Sequence, residues 1–167
     1  MLCCQPVLIN LKIGESSMSK KNDHSEFTFI DLFSGIGGFH IALHNKGGKC
    51  VFASEWDENA RKTYKHNFIR ISPELFNSDS NLFAGDITKH DVNSIPDHDI
   101  LCAGFPCQPF SNGGNKKSFN DKRGLLFDHI MRIANYKKPK FMFLENVKHI
   151  MKVSNGEVIK YIREKID

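Results

Sequence analysis

The sequence lacks any apolar run of the roughly 18 to 20 residues that a membrane helix requires. Residues 1–13 are mildly apolar, but they have neither a basic start nor a small-residue cleavage site, which argues against a secretion signal. We therefore expect a soluble protein of the cytoplasm.

Cysteine is too scarce and too irregularly spaced for a disulfide framework or a zinc site. The chain has five cysteines, an odd number, and no C-x-x-C pair. Reduced thiols fit a cytoplasmic protein, and we expect no bound metal.

The chain also lacks internal repeats and low-complexity blocks, and its 167 residues, 40% hydrophobic and 25% charged, are typical of one globular domain. Its net charge of +4 divides unevenly, into 0 for residues 1–26, −3 for residues 27–106 and +7 for residues 107–167. A basic C-terminal third suits a surface that faces a polyanion such as DNA. The alternative is that these lysines form a solvated helix face.

Strand-like and helix-like segments alternate from about residue 27, which is typical of a parallel sheet with crossover helices. Helices are predicted over residues 39–46, from Asp57 as N-cap, over 124–136, and after a capping box at Ser154. Strands are predicted over residues 27–32, 49–54, 82–84, 99–103 and 140–144. Residues 71–80 are interpreted as a loop. Residues 1–26 are predicted to form a poorly ordered extension, and residues 27–167 one α/β domain.

Glycine and polar residues follow each predicted strand. In an open parallel sheet, ligands bind outside the carboxyl ends of the strands, so these segments should line a common rim. They are residues 33–38, 55–56, 86–87, 104–108 and 145–146.

The first of these segments is rich in glycine but fails the G-x-G-x-x-G test of a dinucleotide fold, because His40 stands where the third small residue is needed. At the next strand ends, Glu55 could accept ribose hydroxyls, Trp56 could stack on a purine, and Asp86 could accept an adenine amine. Together they describe an adenosine pocket. Taken singly, the glycine segment could be a plain tight turn, Glu55 a helix-initiating charge, Trp56 a packing aromatic and Asp86 a cap.

Cys107 is the strongest candidate for a catalytic residue. Cys50 and Cys102 fall inside strands and are interpreted as buried, whereas Cys107 follows a strand and stands between two prolines. An accessible thiol of lowered pKa in such a loop can act as a nucleophile. Glu145 would lie near it if their two strands are neighbours; a Cys–His pair is the rival arrangement.

These residues resemble the motifs of the DNA cytosine-5 methyltransferases of bacterial restriction-modification systems. DLFSGIGGF (31–39) is similar to the first motif of that family, and GFPCQPFS (104–111) is similar to its nucleophile motif. Further matches are Glu55-Trp56, GDI (85–87), RGLLF (123–127) and ENV (145–147).

The resemblance implies a Rossmann-like methyltransferase fold, with a mostly parallel sheet and helices on both faces. It implies Cys107 as the nucleophile, Glu145 as its acidic partner, and S-adenosyl-L-methionine as cofactor, converted to S-adenosyl-L-homocysteine. The cofactor-binding residues would be Phe33, Ser34, Gly35, Gly37, Gly38, Glu55, Trp56, Asp86, Ile87, Pro106 and Leu126. Double-stranded DNA, with the target cytosine flipped out, would be contacted by Gln108, Ser111, Gly113, Lys116, Lys117 and Arg123. The protein would then reside with DNA in a bacterial cytoplasm.

Parts of the family pattern are absent from this sequence. No two arginines stand one residue apart, so the family's Gln-x-Arg-x-Arg motif is missing. The target-recognition region and the C-terminal motif that completes the cofactor pocket are missing too. We therefore expect a truncated enzyme, or half of a split enzyme completed by a second polypeptide; the alternative is an inactive S-adenosylmethionine-binding or regulatory module.

Overall fold

The structure is a computed structural model that describes residues 7–10, 25–106 and 126–166. Its strands are β1 (Val7–Asn10), β2 (Phe27–Leu32), β3 (Gly48–Ser54), β4 (Phe83–Ala84), β5 (Ile100–Gly104) and β6 (Phe141–Glu145). Its α-helices are α1 (Gly38–His44), α2 (Glu58–Phe68), α3 (Leu126–Lys137) and α4 (Glu157–Ile166).

The predicted parallel sheet is confirmed. Strands β4, β3, β2, β5 and β6 lie side by side in that order, and each pairs in parallel with its neighbour. The observed bounds of all five agree with the predicted ones to within one residue. Because the carboxyl ends of parallel strands meet at one edge, the segments that follow them converge there.

A sixth strand was not predicted. Strand β1 pairs antiparallel with the outer edge of β6, from Val7 opposite Leu144 to Asn10 opposite Phe141. This pairing satisfies backbone groups that an edge strand would otherwise leave open. The rest of residues 1–24 lies outside the described residues, so the assignment of residues 1–26 to an extension remains a prediction.

Helices cover both faces of the sheet. One cluster of buried side chains joins Ile30 and Leu32 of β2 to α3 and α4, whereas a second joins Phe29 to α2, with α1 packed against it. Strand β3 carries one extra residue at this level, because Phe29 pairs with Cys50 but Ile30 pairs with Phe52. That bulge keeps Cys50 on the α2 face and Phe52 on the opposite face.

A local signal explains where α2 begins. Asp57 caps α2 as predicted, since its Oδ1 accepts the N–H of Ala60 at 2.8 Å. Residues 71–80 are not entirely a loop, because they contain a 3-10 turn over Pro73–Phe76. Helix α4 begins at Glu157 after another 3-10 turn, Val153–Gly156. No helix in the described ranges combines the length and apolarity needed to span a membrane.

Candidate functional site

A cavity of about 660 Å³ opens at the carboxyl ends of the five parallel strands. Its volume falls within the range of small-molecule pockets. Predicted cofactor residues that line it are Phe33, Glu55, Trp56, Asp86, Ile87, Pro106 and Leu126. Glu145, the predicted acidic partner, lines the same cavity. The fold thus brings together residues that are spread over more than 100 positions of the chain.

The turn from β2 into α1 and the first residue of α1 hold the other predicted cofactor residues, which are Ser34, Gly35, Gly37 and Gly38. Gly35 and Gly37 have φ angles of 54° and 98°, in the left-handed region that favours glycine. A Cβ atom on Gly37 would lie 2.0 Å from Cε2 of Phe68. Glycine is therefore required there by its backbone conformation and by the close approach of α2.

Glu55 connects this turn to the end of β3. Its Oε2 accepts the N–H of Gly35 at 2.8 Å, and its Oε1 accepts the N–H of Asp57 at 2.9 Å. The residue is only 8% exposed. Each carboxylate oxygen has a second lone pair, so Glu55 retains acceptor capacity for ligand hydroxyls on the cavity side.

Trp56 projects differently from Glu55. It is 79% exposed and lines the cavity, so it is not a core aromatic. An exposed indole at the wall of a pocket provides a flat apolar surface on which a ring can stack.

Asp86 lines the cavity and also caps the turn that follows it. Its Oδ1 accepts the N–H of Thr88 at 3.0 Å and the hydroxyl of Thr88 at 2.7 Å. These hydrogen bonds, chiefly the one from the hydroxyl, and nearby Lys89 hold the pKa of the Asp86 carboxyl below its usual range. Asp86 is thus a charged acceptor whose orientation is fixed by its own loop.

Glu145 lies at the end of β6, directly beside the end of β5. Gly104 and Glu145 are the last paired residues of the two strands, and a Cβ atom on Gly104 would lie 3.4 Å from Oε2 of Glu145. The two strands are therefore neighbours, the condition set for Glu145 to lie near Cys107. One residue further on, Nδ2 of Asn146 donates to the carbonyl oxygen of Phe105 at 2.6 Å.

Cys107 itself lies outside the described residues. The same is true of every predicted DNA contact, namely Gln108, Ser111, Gly113, Lys116, Lys117 and Arg123. Their roles remain predictions.

Among the described residues, two buried serines have unpaired hydroxyls, and of these Ser34 was among the predicted cofactor residues whereas Ser54 was not. Ser54 lines the cavity and is 1% exposed, and Ser34 in the glycine turn is 8% exposed. Neither hydroxyl oxygen has a hydrogen-bond partner within the described part of the chain. Buried polar atoms normally have partners, so the Ser54 hydroxyl at the cavity fits a ligand that carries polar groups, as S-adenosyl-L-methionine does. Ser54 was missed because it ends an apolar strand and matches no motif.

Only some of the basic residues of the C-terminal third lie near the carboxyl ends of the strands. Lys137 and Lys140 lie next to the start of β6, at the opposite edge, and pair with Asp97 at 3.3 Å and Asp99 at 2.8 Å. Lys148 follows the carboxyl end of β6 and is exposed. A charge count along the chain therefore does not by itself locate a DNA-facing surface. Across the described ranges, no three His, Cys, Asp or Glu side chains are grouped to hold a metal ion.

The sequence profile of the C-5 cytosine-specific DNA methylases matches residues 27–167. The chain belongs to that family. It is 48% identical over 135 residues to the type II methyltransferase M.HhaI of Haemophilus parahaemolyticus, and 49% identical over 146 residues to M.HpaII of Haemophilus parainfluenzae. These alignments cover 81% and 86% of this chain, but only 38% of each relative.

Solved structures of methyltransferases have the same fold as this chain. A DNA modification methyltransferase encoded within an E. coli prophage superposes with a TM-score of 0.64 at 27% identity, covering 84% of this chain and 38% of that one. Dnmt2 of S. pombe gives a TM-score of 0.57 at 23% identity, covering 83% and 42%, which is a likeness of fold alone.

Proposed function

We propose that this chain is the cofactor-binding and nucleophile-bearing part of a DNA (cytosine-5-)-methyltransferase of a restriction-modification system. The observation that carries the proposal is the pairing of Gly104 with Glu145, which sets the carboxyl group beside the strand end that leads into Cys107. Family membership and the lining of the cavity support it. We further propose that the protein acts in a bacterial cytoplasm on double-stranded DNA.

Chemistry explains why a thiol and a carboxyl group are needed together. Carbon 5 of cytosine is a poor nucleophile, so the Cys107 thiolate adds to carbon 6 and forms a C–S bond. Glu145 hydrogen-bonds or protonates ring nitrogen 3, which accepts the electron pair displaced from the ring. Covalent addition thus makes carbon 5 electron-rich and divides a difficult reaction into easier steps. After carbon 5 has received the methyl group, its proton is lost to water, the electron pair of that C–H bond forms the carbon 5–carbon 6 double bond, and the C–S bond breaks to release the Cys107 thiolate and restore the ring.

The cavity would hold S-adenosyl-L-methionine, which when bound supplies an electrophilic methyl group to carbon 5 and becomes S-adenosyl-L-homocysteine. Glu55 would accept the ribose hydroxyls, Trp56 would stack on the adenine, and Asp86 would accept its amine. Pro106 lines the same cavity and directly precedes Cys107, so the cofactor and the nucleophile loop would meet there. Because the target base is stacked inside the duplex, it would be flipped out at a cost of a few kcal/mol.

The chain spans 38% of the length of its relatives M.HhaI and M.HpaII. We propose that a second polypeptide, or a longer form of the chain, supplies the target-recognition region. The same coverage favours a second candidate, an S-adenosylmethionine-binding or regulatory module without activity of its own.

A chimera tests these two functions. Residues 27–167 would replace the matched part of M.HhaI, and transfer of a labelled methyl group to duplex DNA would be measured for the chimera and for the chain alone. Cofactor binding by the chain would be measured by calorimetry. Activity of the chimera, lost with Cys107→Ser, supports the enzyme. Cofactor binding by the chain with an inactive chimera favours the regulatory module, and absence of both contradicts the two candidates.

A further inference from the structure

One side-chain hydrogen bond joins the segments that leave β5 and β6. Nδ2 of Asn146 donates to the carbonyl oxygen of Phe105 at 2.6 Å, across 41 positions of sequence. Phe105 follows the last paired residue of β5, so its carbonyl is beyond the β5–β6 pairing. A buried carbonyl needs a donor, and here a side chain supplies it.

Two hydrogen bonds to described backbone groups specify the orientation of the Asn146 amide. While Nδ2 donates to Phe105, Oδ1 accepts the N–H of Val147 at 2.9 Å. Rotating the amide by 180° would place donor against donor and acceptor against acceptor. Asn146 therefore connects the backbone just after Glu145 to the backbone two residues before Cys107, in one geometry.

The residue that receives this hydrogen bond is itself anchored. Phe105 is 5% exposed, and its ring packs on Phe127 of α3 with centroids 5.6 Å apart. Proline at position 106 restricts the next φ angle. With Phe105 packed on one side and bonded to Asn146 on the other, the backbone at Phe105 and Pro106 has little freedom relative to β6.

We infer that Asn146 is a positioning residue that fixes the start of the Cys107 loop against Glu145, so that thiol and carboxyl group address one cytosine ring. The inference rests on the proposed function. Asn146 acts through Phe105 in this assignment and is not assigned contact with the reacting atoms. Misplacement of a reacting group by about 1 Å can cost on the order of a hundredfold in rate.

Two variants test the assignment in the active chimera or complex. Asn146→Ala removes the whole amide, whereas Asn146→Asp keeps Oδ1 and the size but loses the donor. We expect both to slow covalent trapping of a duplex containing 5-fluorocytosine by about a hundredfold near neutral pH. Cofactor affinity, measured by calorimetry, should change much less than the trapping rate.

The pH dependence separates positioning from a merely structural role. A protonated aspartic acid can donate to the Phe105 carbonyl, so the trapping rate of Asn146→Asp relative to wild type should recover as the pH falls. Asn146→Ala should show no such recovery. Equal ratios for both variants at every pH would overturn the assignment, as would trapping rates within about twofold of wild type.

A measurement on the chain alone does not depend on activity. Loss of the hydrogen bond should speed hydrogen exchange of the Phe105 amide, at the residue that Asn146 contacts, by roughly fivefold or more. Asn67→Ala is the matched control, because Nδ2 of Asn67 donates to the carbonyl of Ile36 at 3.1 Å beside the glycine turn. It should leave exchange at Phe105 unchanged. Unchanged exchange in the Asn146 variants overturns the inference, whereas a wild type that never traps cytosine overturns the proposed function instead.

Discussion

Glu55 and Gly35, twenty positions apart, are joined by a hydrogen bond in which Oε2 of the carboxylate accepts the backbone N–H at 2.8 Å. The carboxylate at the end of β3 thereby holds the glycine turn at the end of β2. A residue expected to bind a cofactor ribose thus also shapes the turn beside it.

Glu55→Gln should weaken both cofactor binding and the hydrogen bond that holds the glycine turn. A glutamine has one acceptor oxygen, so it cannot serve the N–H groups of Gly35 and Asp57 as the carboxylate does. A hydrogen bond to a charged group contributes about 1.5–3 kcal/mol, so we expect cofactor affinity to fall at least about tenfold. Calorimetry with S-adenosyl-L-methionine measures this, with Glu58→Gln in the first turn of α2 as control. Unchanged affinity would show that Glu55 is only structural.

Gly37→Ala should destabilise the fold. Gly37 has a φ of 98°, and its added Cβ would lie 2.0 Å from the Phe68 ring. Strain of this kind costs about 1–3 kcal/mol or more in free energy of unfolding. Gly38→Ala is the matched control, since nothing lies within 4 Å of its Cβ position and the residue begins α1. Urea unfolding of the two variants should therefore differ, and equal midpoints would contradict the packing described.

Cys107→Ser should abolish methyl transfer while leaving cofactor binding nearly intact. A serine hydroxyl is far less ionised than a thiol and cannot add readily to carbon 6 of cytosine. Methyl transfer by the chimera and calorimetry on the chain measure the two effects separately. Loss of cofactor affinity in this variant would contradict the role assigned to Cys107.

Glu145→Gln should slow covalent addition without preventing it. Glutamine can still donate a hydrogen bond to ring nitrogen 3 but cannot transfer a proton, so we expect a loss of about 10²–10⁴-fold. The rate of trapping of a 5-fluorocytosine duplex reports the addition step. The exposed Glu164 supplies the control Glu164→Gln. An unchanged trapping rate would remove Glu145 from the mechanism.

His40 should make the stability of the fold depend on pH. It is buried between α1 and α2, with Nδ1 2.7 Å from the Tyr64 hydroxyl and Nε2 3.1 Å from the Ser72 hydroxyl. Burial, and secondarily His44, lowers the pKa of His40 from 6.5 to about 4. The unfolded chain therefore binds a proton at a higher pH than the folded chain does, and stability is lost as the pH falls from 6.5 towards 4.

The size of this effect follows from the shift, which corresponds to about 3 kcal/mol. Urea unfolding at a series of pH values should show a shallower pH dependence for His40→Gln than for wild type. His66→Gln, on the exposed face of α2, is the matched control. Parallel curves for wild type and His40→Gln would show that His40 does not titrate on unfolding.

Much of the fold could be predicted because its signals are local. Apolar β-prone runs identify the five parallel strands, and Asp57 identifies the start of α2 through a cap that needs only neighbouring residues. Strand β1 was missed because it has only four residues, three of them apolar, which is too short a run to show a periodicity. Its partner β6 lies more than 130 residues away in the sequence.

The burial of two polar residues near the glycine turn, Asp31 and His40, could not be predicted either. Asp31 was recognised only as part of a motif, yet it is fully buried in β2, and burial raises the pKa of its carboxyl. His40 appeared only as a residue too large for a dinucleotide motif, although its ring stacks on Phe68 with centroids 3.9 Å apart. Nothing in their local sequence distinguishes buried polar residues from exposed ones.

The sequence by itself determined the family, the order of the five parallel strands and the helices between them, and the kinds of residue that follow each of those strands. Only the tertiary structure decided that β5 and β6 are neighbours, that Glu55 holds Gly35, and that Asn146 reaches Phe105. The reason is physical: strand and turn propensities act over a few residues. Contacts between strand ends depend on how a twisted sheet packs between its helices, and they join residues 20 and 41 positions apart.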